Sequence, residues 1–180
     1  MISTVNLGKS FGKKKLFENV SVEFNAGNCY GLIGANGAGK STLLKIISGE
    51  IEASEGHIAK DKKTTIAMLK QNQFEFDDSL VLDTIIMGNP AMYVCYSERN
   101  RIYALPDMSE EDGLKVAQYE ADYSEMDGYE KEAQAASLLD ELGISSEFHE
   151  QKMSQLDANQ KIKVLLGQAL FGEPDVLLLD

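Results

Sequence analysis

The sequence lacks most of the features that mark secreted or membrane-spanning chains. Its 180 residues include only two cysteines, Cys29 and Cys95, which are too few for a disulfide framework. No apolar run approaches the ~20 residues that span a bilayer. Met1–Gly8 contains no basic stretch followed by an apolar block, so we expect no secretory signal. These absences favour a cytoplasmic protein without a membrane partner.

Positive charge is also scarce. The sequence has 17 Lys and Arg residues against 29 Asp and Glu residues, which gives a net charge of −12. Residues 1–75 carry 10 basic and 7 acidic side chains, whereas residues 76–180 carry 7 and 22. An acidic half of this kind repels a nucleic-acid backbone, so we expect no direct binding to DNA. With 43% hydrophobic and 26% charged residues, the composition also excludes collagen-like and fully disordered chains.

Apolar patterning predicts an α/β fold. In the first half, strands are predicted at Ile2–Leu7, Val20–Phe24, Cys29–Ile33 and Ile66–Leu69, with a helix at Lys40–Ser48. The second half is predicted to be mostly helical, because apolar residues recur there at helical spacing. The predicted helices are Leu80–Met87, Tyr93–Leu105, Ser109–Met126, Lys131–Leu142 and Ala158–Phe171, and a buried strand follows at Val176–Leu179.

The strongest motif is a glycine-rich turn just before the predicted helix Lys40–Ser48. Residues 34–41 read Gly-Ala-Asn-Gly-Ala-Gly-Lys-Ser and fit the phosphate-binding pattern G-x-x-x-x-G-K-[ST] at every fixed position. Glycines let the backbone curl so that several N–H groups converge, and the following helix adds its positive end. Lys40 is expected to contact the β- and γ-phosphates, and the Ser41 hydroxyl to ligate Mg²⁺.

A carboxylate follows the last predicted strand. Asp180 comes directly after Val176–Leu179, and a buried strand that ends in Asp, in a chain with a phosphate-binding loop, resembles a Walker B motif. Its carboxylate is expected to hold Mg²⁺ through water.

With both motifs, the chain resembles the first half of an ATP-binding-cassette (ABC) domain, a P-loop NTPase fold with a β-subdomain and a helical subdomain. The resemblance implies that Phe11 stacks on adenine and that Gln71 is the Q-loop residue that reaches the metal and the attacking water. Gln73 is a weaker candidate for that role. The implied nucleotide-binding residues are Phe11, Gly34, Ala35, Asn36, Gly37, Ala38, Gly39, Lys40, Ser41 and Thr42. The implied catalytic residues are Lys40, Gln71 and Asp180, and the implied metal ligands are Ser41, Gln71 and Asp180.

Longer segments of the sequence indicate which kind of ABC protein the chain resembles. Residues 28–37 are similar to the ABC-F family of twin-cassette ATPases, and residues 84–88 and 99–106 look like its YbiT branch. ABC-F proteins have no membrane domain and act at the ribosome near the exit-site tRNA. The implied partners are therefore a second cassette of the same polypeptide and the ribosome.

The resemblance also implies a division into three parts. These are a nucleotide-binding core at residues 1–90, a short helical arm insert at 91–128, and a helical subdomain with the signature helix and the Walker B strand at 129–180. Residues 98–150 carry 4 basic and 15 acidic side chains. An acidic arm of this kind suits basic ribosomal proteins better than rRNA.

The chain departs from the family pattern in two places. Residues 156–160 read Leu-Asp-Ala-Asn-Gln where the ABC signature is Leu-Ser-Gly-Gly-Gln. Asp157 would place a carboxylate near the phosphate of the partner cassette, so we expect the site completed by this motif to be weak or differently built. The sequence also stops at Asp180, before the position of the general-base Glu. We therefore expect the N-terminal part of a first cassette, which binds ATP without hydrolysing it efficiently.

Two alternatives stay open. One is the ATP-binding subunit of an ABC membrane transporter, and the other is a nucleotide-gated scaffold for which hydrolysis does not matter. His57 and His149 are expected to be surface residues that do not replace the missing base.

Overall fold

The chain folds into two compact units. The computed structural model describes residues 1–69 and 72–180. The first unit comprises Met1–Met68 and Pro174–Asp180, and the second comprises Leu69–Glu173. The strands lie in the first unit with one helix, and the remaining helices lie in the second. The α/β organisation predicted from the sequence is therefore confirmed.

An antiparallel sheet forms one side of the first unit. β1 (Ile2–Phe11) and β2 (Lys14–Phe24) form a hairpin, and β3 (Glu55–Lys60) pairs with the other edge of β1. The hairpin turns at Gly12, whose φ of 59° is readily adopted by glycine. Phe11 and Lys14 pair across this turn, so the end of β1 is held next to the start of β2.

A parallel pair of strands positions the last residues of the chain. β4 (Ile66–Met68) runs parallel to β5 (Val176–Leu178). Asp175 fixes the start of β5, because its carboxylate accepts hydrogen bonds from the backbone N and the hydroxyl of Thr65 at 2.8 and 2.9 Å. These bonds, the backbone one first, hold the pKa of Asp175 below its ordinary 3.8. The carboxylate therefore stays ionised and keeps β5 in register.

One helix packs onto these strands. α1 (Lys40–Ser48) has the predicted bounds and ends at Gly49, whose φ of 87° forms a left-handed C-cap. The core of this unit consists of the buried residues Ile2, Ile47 and Leu178 with Phe24, Leu43, Leu44, Ile58, Ile66, Met68 and Val176 packed around them. The start of α1 and the end of β5 are thus both attached to one core.

The strand prediction fails at two places. Residues 29–33 are irregular, and Ile33 is 95% exposed. Among the residues that the structure describes, no strand pairs with this segment, and its exposed backbone groups can bond to water instead of to a ladder partner. β3 was not predicted, because it contains mostly polar residues and has Gly56 in a left-handed conformation with φ 72°.

The second unit is helical. Its helices are α2 (Val81–Ile86), α3 (Pro90–Tyr103), α4 (Glu110–Glu125), α5 (Gly128–Glu141) and α6 (Ala158–Phe171), with short 3₁₀ turns at Ser146–Phe148 and Met153–Gln155. Each helix overlaps a predicted one, and α6 has the predicted bounds. The core consists of Val81, Ile85, Ile86, Met92, Cys95, Tyr123, Ala135, Leu139, Ile144, Met153, Leu156, Val164 and Phe171.

α3 and α4 pack against each other as a helical hairpin, and both contribute residues to this core. A capping box between Ser109 and Asp112 begins α4. A buried cation, Arg99, lies in α3 with its guanidinium carbon 4.3 Å from the ring centroid of Tyr123. Its nitrogens lie 3.9 and 3.8 Å from carboxylate oxygens of two glutamates, one in α4 and one in α5. Arg99 therefore connects the three helices α3, α4 and α5.

Two kinds of feature are absent from the described part of the chain. Across residues 1–69 and 72–180, no helix combines the length and the apolar character needed to cross a membrane. The same ranges contain no group of three or more His, Cys, Asp or Glu side chains arranged to hold a metal ion. A metal that is carried by bound phosphates needs fewer protein ligands than such a group supplies.

Candidate nucleotide-binding site

The glycine-rich turn at residues 34–39 leads directly into α1. Gly37 and Gly39 have left-handed backbones with φ of 78° and 100°. A Cβ at Gly39 would lie 2.9 Å from Leu16 and 3.0 Å from Phe17 of β2. Glycine is required at position 39 both by this conformation and by the close packing of the turn on β2.

The start of α1 offers backbone N–H groups to an anion. Because its N-cap residue is Gly39, no side chain caps the helix, and its first turn contains no acidic residue. Such groups carry partial positive charge. Lys40 adds a full positive charge. Its Nζ donates hydrogen bonds to the carbonyl oxygens of Gly34 and Ala35 at 2.9 and 3.0 Å. The ammonium group therefore lies at the beginning of the turn.

The other predicted loop residues complete this turn. The backbone N of Ala38 donates to the carbonyl of Ala35 at 3.2 Å. Asn36 is exposed, and Thr42 is half-buried in the first turn of α1. The structure thus brings the predicted loop residues together at one helix terminus.

A hydroxyl and a carboxylate meet beside this terminus. Ser41 Oγ donates a hydrogen bond to Asp180 Oδ1 at 2.8 Å, although the two residues are 139 positions apart. Ser41 lies in the first turn of α1, and Asp180 lies two residues beyond β5. The two groups are oxygen ligands of the kind that Mg²⁺ prefers, so their chemistry fits the predicted metal site.

Phe11 lies at the end of β1 and is 56% exposed. The Nζ of Lys9 lies 5.2 Å from its ring centroid. An exposed ring of this kind is available for stacking, and a neighbouring cation adds attraction to its face.

Two residues were predicted for the Q-loop role, Gln71 and Gln73. Gln71 lies outside the described residues. Gln73, the weaker candidate, is half-buried, and within the described ranges its buried Oε1 has no hydrogen-bond partner.

The altered signature segment forms a local cap on α6. Asp157 is the N-cap residue, and its Oδ1 accepts a hydrogen bond from the backbone N of Gln160 at 2.9 Å. Gln160 Oε1 accepts one from the backbone N of Asp157, also at 2.9 Å. The two residues form a reciprocal capping box. The carboxylate of Asp157 is therefore engaged in stabilising its own helix.

The prediction for the two histidines is correct for one and wrong for the other. His57 is exposed, although it lies on β3. His149, which follows α5 in the chain, is only 8% exposed, and its Nε2 lies 3.2 Å from the carbonyl oxygen of Ile144. A buried hydrogen bond to a backbone carbonyl is a structural role.

A buried ion pair was not predicted. Lys161, in the first turn of α6, is 5% exposed, and its ammonium donates to the carboxylate of Asp77. The sequence carries a signal for it, since Lys161 shares a helix face with the buried Val164 and Leu165. A charge on the apolar face of a helix requires a partner of opposite charge.

The turn, the helix terminus and the Ser41–Asp180 pair match the pattern of a P-loop NTPase. The chain belongs to the ABC transporter family of ATPases, whose sequence pattern matches residues 17–180. The fold agrees with this assignment. A nucleotide-free ATP-binding cassette from an ABC transporter superposes with a TM-score of 0.68 at 26% identity, over 100% of this chain and 68% of that one. The dimeric structure of a bacterial ABC transporter cassette gives a TM-score of 0.69 at 21% identity, over 100% and 73%.

Two bacterial relatives are more similar in sequence. The probable ATP-binding protein YbiT of Escherichia coli O157:H7 is 52% identical over 100% of this chain and 34% of its own length. The uncharacterized ABC transporter ATP-binding protein YkpA of Bacillus subtilis is 51% identical over 100% of this chain and 33% of its own length. The predicted resemblance to the YbiT branch of the ABC-F family is therefore confirmed. The chain spans about a third of the length of these relatives.

Proposed function

We propose that this chain binds ATP with Mg²⁺ at the start of α1, as part of an ABC-F ATPase that acts on the ribosome. The observation that carries the nucleotide part is the Ser41–Asp180 hydrogen bond. It joins a helix start with unpaired N–H groups to the end of a strand that supplies a carboxylate. Phosphate binding at such a helix start follows from its charge. Mg²⁺ bound by these oxygens would supply positive charge to the β- and γ-phosphates.

Each site residue has a proposed role. Phe11 stacks on the adenine, Lys40 contacts the phosphates, and Ser41 and Asp180 hold the metal, Asp180 through water. Gln71 is proposed to reach the metal and the attacking water. We keep residues 1–90, 91–128 and 129–180 as the proposed core, arm and helical subdomain.

The nucleotide part is tested by replacing the lysine of the loop. Lys40→Ala removes the ammonium group at the beginning of the turn. We expect ATP affinity to fall about tenfold or more, because hydrogen bonds to charged groups contribute about 1.5–3 kcal/mol. Lys45→Ala, in the last turn of the same helix, is the matched control and should bind ATP normally. Isothermal titration calorimetry of the full-length protein measures both. Equal affinities for the two variants would contradict the assignment.

The ribosomal part is supported by the resemblance to the ABC-F family and by the acidic residues 98–150. We propose a second cassette of the same polypeptide and a basic ribosomal protein as partners. Full-length protein with a non-hydrolysable ATP analogue should sediment with ribosomes, and the Lys40→Ala variant should not. Recovery in the membrane fraction instead would favour a transporter subunit.

A second candidate is a nucleotide-gated scaffold that does not depend on hydrolysis. The capping box of Asp157 favours it, because a carboxylate already occupies the N-terminus of α6. The measurement that separates the candidates is the ATPase rate of the full-length protein with and without ribosomes. A clear stimulation by ribosomes would exclude the scaffold.

A further inference from the structure

One acidic residue contacts the chain on both sides of the signature segment, residues 156–160. The backbone carbonyl of Asp77 accepts a hydrogen bond from the backbone N of Ser154 at 3.1 Å. Its carboxylate accepts a hydrogen bond from Lys161, the residue that follows the signature segment. Asp77 therefore contacts the chain on both sides of the signature segment, at Ser154 before it and at Lys161 after it.

The ammonium end of the ion pair is shielded from water, and the carboxylate is half-buried. The side chain of Lys161 is 6% exposed and that of Asp77 is 34% exposed. The ring of Phe74 covers the ammonium, with its centroid 4.9 Å from Nζ. An ammonium group buried in this way depends on its carboxylate partner, because removing one partner leaves an uncompensated charge. The pair therefore fixes the start of α6 more firmly than a surface pair would.

Neighbouring backbone bonds hold the same two stretches of chain together. The N of Met153 donates to the carbonyl of Ser79, and the N of Val81 donates to the carbonyl of Gln151, both at 2.9 Å. These bonds lie before the signature segment. The Asp77–Lys161 pair lies beyond the signature segment and joins Asp77 to the first turn of α6.

We propose that Asp77 is a positioning residue for the signature segment and that it acts through Lys161. The ion pair and the bond to Ser154 together fix the backbone of residues 156–160, on which the Asp157–Gln160 cap is built. The functional consequence rests on the proposed role of this chain as a nucleotide-binding cassette. The positioning itself is a property of the second unit and is measurable without nucleotide.

The structure supplies a matched control in the adjacent residue. Asp78 pairs with Lys152 at 3.7 Å, but the two side chains are 104% and 55% exposed. Such exposed pairs contribute little. Asp77→Asn and Asp78→Asn change the same charge at neighbouring positions, and only the first removes the partner of a buried cation.

The first experiment is hydrogen–deuterium exchange of the full-length protein without nucleotide. Asp77→Asn should raise the exchange rate of peptides covering residues 154–161 by about tenfold or more, because local opening becomes easier. Asp78→Asn should leave it unchanged, and Lys161→Met should reproduce the effect of Asp77→Asn. The double variant Asp77→Asn/Lys161→Met should be no worse than either single one, since one interaction is lost. Unchanged exchange in Asp77→Asn, or an equal effect of Asp78→Asn, would overturn the proposal.

A folding defect does not obscure this test. If Asp77→Asn fails to fold, Asp77→Leu/Lys161→Met removes both charges and leaves neither unpaired. It should still raise exchange at residues 154–161 while residues 81–86 exchange as in the wild type. An equal increase in both segments would assign the pair to general stability and overturn the positioning role.

The second experiment separates nucleotide affinity from turnover. Asp77→Asn should leave the Kd for ATP unchanged and lower kcat about tenfold, since the signature segment acts in turnover and not in loop binding. A loss of ATP affinity equal to the loss of kcat would refute the positioning role. If the wild-type protein binds no ATP, the proposed function fails, and the exchange experiment still decides the role of Asp77.

Discussion

Replacement of Arg99 by methionine should destabilise the helical hairpin of α3 and α4. Arg99 lies 3.9 Å from a carboxylate oxygen of Glu120 and 3.8 Å from one of Glu132. Its guanidinium also lies over the ring of Tyr123. A hydrogen bond from the Tyr129 hydroxyl keeps the pKa of Glu120 below its ordinary 4.5, so this carboxylate stays charged when the arginine is removed. The variant therefore leaves negative charge between these helices without its cation.

The size of the effect follows from the burial of these groups. Removing one partner of a buried ion pair costs about 3–5 kcal/mol, and the cation–π contact adds about 1 kcal/mol. The side chains of Glu120 and Glu132 retain 30% and 33% exposure, which lets water relieve part of the cost. Nη1 of Arg99 is buried without a hydrogen-bond partner in the described ranges. Removing this unsatisfied donor offsets about 1 kcal/mol of the lost stability. The expected loss is about 2–3 kcal/mol.

Urea denaturation followed by far-UV circular dichroism measures this loss, because the sequence has no tryptophan to serve as a fluorescent probe. Arg101→Met is the matched control, since Arg101 pairs with Glu98 at the surface, where the two side chains are 59% and 36% exposed. It should unfold at the wild-type urea concentration. If both variants unfolded at the same concentration, Arg99 would not be the cation that stabilises the hairpin.

Substitutions at two further positions test the second unit. Asp157→Ala should cost about 1 kcal/mol of stability through loss of the α6 cap, whereas Asp157→Ser should retain the cap, as thermal unfolding will show. Burial raises the pKa of Asp83 above its ordinary 3.8, against the opposing effect of the hydrogen bond from Tyr96. A raised carboxyl pKa adds stability only at low pH and loses it as the pH rises through that pKa. Asp83→Asn should therefore be more stable than the wild type at pH 7, with the difference vanishing in denaturation curves measured below the ordinary pKa of 3.8.

Local signals made the two motif-bearing helices predictable. α1 and α6 have the predicted bounds because a glycine follows each of them, Gly49 and Gly172, and because their apolar residues recur at helical spacing. The glycine-rich turn at residues 34–39 was equally predictable, since Gly37 and Gly39 have a left-handed conformation that few other residues adopt. These features depend on residues close to one another in the chain.

Features that depend on distant partners were not predictable in the same way. The apolar run at residues 29–33 predicts a strand, but the ladder partner that a strand requires is absent from the described residues. His149 is predicted to be exposed, yet it is buried, with its backbone carbonyl bonded to Leu82 N and its ring nitrogen 3.2 Å from the carbonyl oxygen of Ile144. Asp77 and Lys161 are 84 positions apart, and no sequence pattern pairs them.

The two helix starts that carry family motifs differ in their chemistry. α1 begins at Gly39, which has no side chain, so its N–H groups remain available to a phosphate. α6 begins at Asp157, whose carboxylate accepts the N–H of Gln160 and places a negative charge at that terminus. A phosphate that approached α6 would have to compete with this carboxylate for the same donors. We therefore expect nucleotide affinity to depend on the α1 site, and the signature segment to contribute through its position, which Asp77 holds, more than through its charge.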